Sequence, residues 1–248
     1  MLGMIQNNLG NYAEAIAAWD QVLERDPEAR GLQVSPAEFL VARGKALLNL
    51  GKVHAAIGEF DRAVRLAPDA DTKVWLGEAC EQAGDVARAV ALWKEALADA
   101  PRDVKAREGL ARAALEKNAP AEALQWLEPA AGRRDLTSAA AYLFQRAHTL
   151  LGDREAAAHW EAETAKLRQR EQRAGLIDRG LRDAPHSFWS RAVRAYRFAA
   201  KGNRAQAQVL VGPLLHEAPN EPFLRQLADF LDGDGELPSL DLLPMRKF

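Results

Sequence analysis

The chain has 248 residues, 48% hydrophobic and 27% charged, with a formal net charge of −2. This composition fits a folded, soluble chain. So small a net charge provides no global field for nucleic acid or a membrane surface. One cysteine, Cys80, excludes an intrachain disulfide framework and a cysteine zinc site. No run of about 18 apolar residues is present to span a bilayer, and the opening MLGMIQNNLG lacks the basic and apolar regions of a signal peptide.

Taken in order, the chain alternates short helical patterns with turn signals. Gly10-Asn11, Gly51-Lys52, Gly84-Asp85, Asn118-Ala119, Gly152-Asp153 and Gly202-Asn203 each end one helix and open another, at spacings of 41, 33, 34, 34 and 50 residues. The units close at Pro27, Pro68, Pro101, Asp135, Pro185 and Pro219. A period near 34 residues with two helices per unit marks a helical repeat. Gly84 to Pro101 shows the second helix of a unit most clearly. Asp85 is its N-cap, and Ala89, Val90, Trp93, Ala96 and Leu97 form one apolar stripe.

The irregular places are equally specific. The first unit lacks its opening turn, so the chain reads as a fragment or as starting inside a longer array. The segment EARGLQVSP lengthens the next connection, at little thermodynamic cost. Ser35-Pro36 then reads as N-cap and first helical position, with Glu38 completing a capping box. Asn118 replaces the turn glycine, and Pro120 follows where a missing N–H costs nothing. After Asp153 no breaker occurs until Gly175, which predicts a long or kinked helical insertion over about 154–184. Residues 220–232 form an amphipathic capping helix, and the tail 233–248, rich in turn residues and proline, is expected to be irregular.

The register resembles that of the tetratricopeptide repeat (TPR) family. Leu76-Gly77, Gly84, Ala89, Trp93, Ala96 and Pro101 occupy family positions 7, 8, 15, 20, 24, 27 and 32. Gly44, Gly51, Ala56, Phe60, Ala63 and Pro68 match in the unit before, and Leu2-Gly3, Gly10, Ala15, Trp19 and Pro27 in the first. The resemblance implies an all-α, right-handed superhelical solenoid of about six units over 1–219. It departs from the pattern in the sixth unit, where Arg191 and Arg194 stand at positions 4 and 7, which the family fills with large apolar residues.

What the resemblance implies for function is a groove lined by the first helices. By register, its candidate partner-binding residues are Lys45 in the second unit and Val74 and Glu78 in the third. The fourth contributes Lys105, Arg112 and Leu115, the fifth Tyr142 and Arg146, and the sixth Trp189 and Tyr196. The residue set by which some family members clamp chaperone C-termini is not matched. The expected role is a non-catalytic scaffold or adaptor for a protein or extended peptide. The alternative is an accessory or regulatory region of a larger enzyme, secretion or envelope-assembly protein.

Little else in the sequence carries chemistry. His54, His148, His159, His186 and His216 show no metal-ligand spacing, and neither a phosphate loop nor a nucleophile elbow occurs. No cofactor, metal or catalytic residue is expected, and Cys80 reads as a buried core thiol. Residues 166–204 hold 11 basic residues against three acids, whereas 217–241 hold seven acids against Arg225 alone. The basic stretch reads as a solvated helix or as a contact for an acidic partner, with nucleic acid disfavoured. A cytoplasmic setting is favoured, with the periplasm the alternative if the true start lies upstream. The excess of arginine over lysine and the many alanines fit a GC-rich bacterial genome.

Overall fold

A computed structural model describes residues 2–245 except Leu9, Glu28 and Arg30. The long connection expected over 28–36 lies partly outside these residues, and 246–248 of the tail wholly so. The described residues are helical, with no strand among them. Helices α1 (Leu2–Asn8) and α2 (Tyr12–Arg25), α3 (Pro36–Asn49) and α4 (Val53–Leu66), α5 (Ala70–Gln82) and α6 (Val86–Asp99), and α7 (Val104–Glu116) and α8 (Pro120–Leu127) pack as successive hairpins. They are followed by α9 (Ser138–Leu151), α10 (Arg154–Asp183), α11 (Phe188–Ala200), α12 (Arg204–Glu217) and α13 (Pro222–Asp232). This is an all-α helical-repeat solenoid.

Local chemistry explains the helix boundaries. Ser35 Oγ accepts from Glu38 N at 3.2 Å while the Glu38 carboxylate accepts from Ser35 N at 2.9 Å, completing the capping box. Asp69, Asp85, Asp103 and Thr137 cap α5, α6, α7 and α9 in the simpler way, each accepting one backbone N–H. The hairpin turns require the left-handed region, entered by Gly84 at φ +87° and by Asn118 at +56°. Pro129 ends α8 early, and a single 3-10 turn, Glu128–Ala130, follows.

Packing between the helices follows a large-into-small rule. A Cβ on Gly3 would stand 2.4 Å from the Trp19 indole, one on Gly44 2.6 Å from the Phe60 ring, and one on Gly77 2.5 Å from the Trp93 indole. Each glycine thus creates the niche for the aromatic residue of its own unit. Cys80 is buried in the same core, with its thiol pKa pushed up by burial.

The chain forms two compact units, one ending at Leu167 and one starting at Arg168. The boundary falls inside α10, which runs unbroken through Gly175 and Gly180. Its first half contributes Trp160 and Leu167 to the core of the first unit, with Trp160 stacked on Phe144 at 4.0 Å. Its second half contributes Ile177 to the core of the second.

The tail packs against the second unit through one short segment. Leu240–Leu242 form one 3-10 turn capped by Ser239, and Leu243 is buried against the second unit. Arg173 holds this segment by donating to the carbonyls of Leu240, Asp241 and Leu243 at 3.1, 2.7 and 2.9 Å.

Candidate functional site

In the first unit the leading helices α3, α5, α7 and α9 touch one another in sequence. The side chains they share form one continuous surface. At its centre is Trp75 of α5. Lys45 reaches it from α3, with Nζ 4.5 Å from the ring centroid, and Lys105 reaches it from α7 at 4.1 Å. Both ammonium groups lie within cation–π range of one indole. Burial, and then the neighbouring Lys105 charge, lower the Lys45 pKa.

Next along the surface stand carboxylates. Arg112 donates from Nε to Glu81 at 2.8 Å, so its charge is already engaged within the chain. Glu108 accepts a hydrogen bond from the Thr137 hydroxyl. Glu78 has neither a hydrogen bond nor an ion pair among the described residues. Burial pushes the pKa values of Glu78 and Glu108 above the usual carboxylate range, against the pull of Lys105 and Arg112. An open depression of about 330 Å³ beside Trp75 is edged by Asp71, Asp103, Asp135, Lys105 and Thr137.

The far end, on α9, differs in character. Tyr142, Arg146 and Leu150 follow at four-residue steps along one face, opposite the buried Ala140, Leu143, Phe144 and Ala147. Tyr142 is 45% and Leu150 48% exposed, and Arg146 has no partner among the described residues. This is an aromatic, a cation and an aliphatic side chain in a row, all three exposed.

The residues expected to line the groove therefore divide. Lys45 and Lys105 meet over Trp75, Glu78 lies within electrostatic reach of Lys105 and Arg112, and Tyr142 and Arg146 are exposed on α9. Val74 and Leu115, expected among the groove residues, are core residues, each 3% exposed. Trp189 is likewise buried in the second unit, edge-on to Phe188 at 5.0 Å. Tyr196 is half-buried there against Phe223 at 5.9 Å, and burial raises its phenol pKa. The fifth unit is lengthened by the long α10 before α11 begins, so register alone does not give which face of α11 is open. Trp75 is the addition: at position 6 it lies outside the usual lining positions, whereas Leu150 stands at a lining position by register.

One of the two anomalous arginines also finds its reason. Arg191, at position 4 of its unit, makes two 2.8 Å bonds to Glu217 at position 30. Lys73 and Asp99 occupy the same two positions in the third unit and pair at 2.7 Å. In these two units a cation at position 4 is matched by an acid at position 30, whereas in the fourth Arg107 stands at position 4 and donates to the carbonyls of Trp126 and Pro101. Among the described residues, no group of three or more His, Cys, Asp or Glu is placed to hold a metal ion, and no helix is long and apolar enough to cross a membrane.

Stacked helical hairpins with small residues seating large ones define a helical-repeat protein. Tetratricopeptide repeat profiles match residues 1–70, 41–93 and 81–141, more than half of the chain, and the protein belongs to that family. No curated protein matches the sequence. Among solved structures it is similar to MamA, at 20% identity and a TM-score of 0.57 over 69% of this chain and 97% of that one. It is similar to YrrB, described as a TPR protein with an unusual peptide-binding site, at 17% identity and a TM-score of 0.51 over 66% and 82%. The APC/C hetero-tetramer Cut9–Hcn1 aligns over 92% of this chain and 41% of its own, at 16% identity and a TM-score of 0.52. At these identities the likeness concerns the fold.

Proposed function

We propose that the protein is a non-catalytic scaffold that holds a segment of a partner protein on the leading-helix surface of its first unit. Tetratricopeptide repeat proteins are in general interaction scaffolds, and YrrB, with its peptide-binding site, lends support. The observation that carries the reading is the contrast along the surface. Around Trp75 most of the charges are engaged within the chain, whereas Tyr142, Arg146 and Leu150 stand exposed and unengaged at one end. Aromatic and arginine side chains of this kind concentrate binding energy at interfaces. The fitting segment places an apolar side chain against Tyr142 and Leu150 and a carboxylate against Arg146.

A peptide library selected on the full-length chain tests this. Selected sequences should combine an acidic residue with apolar neighbours and lose binding to the Tyr142→Ala and Arg146→Ala variants. Peptides that bind both variants as well as the parent would place the site elsewhere.

A further inference from the structure

The second half of α10 has two faces of opposite character. On one, Ile177 is 2% exposed in the core of the second unit, and Arg173 is committed to the tail carbonyls. On the other, Arg168, Gln172, Gly175, Arg179 and Arg182 follow at steps of four, three, four and three residues. At about 100° per residue these five lie on one stripe, roughly 21 Å long, and all five are exposed.

The arginines of this stripe differ from the other basic residues nearby. Arg191 is held by Glu217, Arg197 by Asp178, and Arg194 by the Pro185 carbonyl. Arg168, Arg179 and Arg182 have no hydrogen bond or ion pair among the described residues. On the second half of α10 these three exposed guanidiniums share one helix face.

We propose that this stripe docks an acidic helix of a partner protein, laid side by side with α10. The four-three spacing is that of two helices packed along a seam. Gly175, at its midpoint, has no atom within 4 Å of where a side chain would start, so a partner backbone can come close there. Leu176 beside it, 40% exposed, offers an apolar contact. Guanidinium forks match carboxylates two bonds at a time. A nucleic acid fits less well. The chain's net charge is −2, and Trp189, the largest aromatic residue nearby, is buried instead of offering a stacking surface.

The test uses the full-length protein and a labelled alanine-based helical peptide with glutamates at the same four-three spacing. A peptide of equal composition with its glutamates spread around the helix, and a short DNA duplex, serve as comparisons. Anisotropy titrations are run at low and physiological ionic strength. The patterned peptide should bind about tenfold more tightly than the spread one and weaken with salt. Arg168→Glu, Arg179→Glu and Arg182→Glu together should weaken it about tenfold or more, with the circular dichroism unchanged, because these side chains support nothing in the fold. Lys117→Glu, an exposed charge off the stripe, should leave binding intact. No binding at low ionic strength, equal binding of the two peptides, or an equal loss with Lys117→Glu would each overturn the proposal. Tighter binding of the duplex than of either peptide would overturn it in favour of nucleic acid.

Discussion

Trp93 occupies the space that a side chain on Gly109 would need. A Cβ there would lie 2.5 Å from Trp93 Cδ2 and Cε2, and one on Gly77 equally close to Nε1. Gly77 belongs to the same unit as Trp93 and Gly109 to the next, so a single indole is seated by two consecutive repeats. The ring is fully buried, and its Nε1 has no acceptor among the described residues; shape and dispersion hold it in place.

The first prediction follows from that seat. Trp93→Ala should cost about 3–5 kcal/mol through lost burial and a residual cavity. Gly109→Ala should cost about 1–3 kcal/mol through overpacking. Gly58, an exposed glycine inside α4 with nothing within 4 Å, is the contrast. Gly58→Ala should stabilise by about 0.5–1 kcal/mol. Equilibrium urea unfolding measures all three, and a neutral Gly109→Ala would show that the two repeats are not locked through this ring.

A second prediction concerns pH. Burial raises the pKa of Glu78. Lys105 and Arg112 oppose that rise, whereas Glu81 and Asp103 add to it. The folded state therefore holds this proton to higher pH than the unfolded chain does. Stability is lost as pH rises from the ordinary glutamate range through the raised value. Glu78→Gln removes the ionisation, so it should raise the urea midpoint at about pH 8 and have little effect near pH 4. A gain that is the same at both values would refute a desolvated carboxylate.

Third, the surface residues should separate by role. Tyr142→Ala and Arg146→Ala should leave the melting temperature nearly unchanged, because neither side chain is buried or paired. Together they should weaken partner binding by about 2 kcal/mol or more. Arg112→Ala instead breaks the bond to Glu81 and should lower stability as well as binding. The comparison needs thermal unfolding and titration of a selected peptide on the same three proteins.

Fourth, Arg173→Ala should release the tail. It removes three donors to the carbonyls of Leu240, Asp241 and Leu243. Amide hydrogen exchange should then quicken at Leu242 and Leu243, while α11 to α13 keep their protection. Unchanged exchange in the tail would mean that burial of Leu243 alone holds it.

Much of the helical hairpin architecture was legible because it depends on local chemistry. The Ser35 box, the Asp85 cap and the Asn118 turn are each written within four residues. The niches for Trp19, Phe60 and Trp93 follow from the period itself. The candidate surface was legible only in part. Register places a Cα on a face, but whether the side chain is free depends on the neighbouring helix. Arg112 illustrates this: its partner Glu81 is 31 residues away, one period less three, on the neighbouring leading helix. Trp189 shows the other limit. With the fifth unit lengthened by α10, the rule that opens that position in a groove no longer applies.

The seat of Trp93 also limits how interchangeable these repeats are. The niche is made by a missing side chain at position 6 of the following unit. Gly109 supplies it, but the equivalent residue one period later is Leu143, itself a core side chain of α9. Excising the fourth unit in register would bring Leu143 against the indole, and duplicating the fifth in its place would do the same. The repeats are therefore matched across their seams like cut keys, and shortening or lengthening this array requires recutting position 6 together with each unit that is moved.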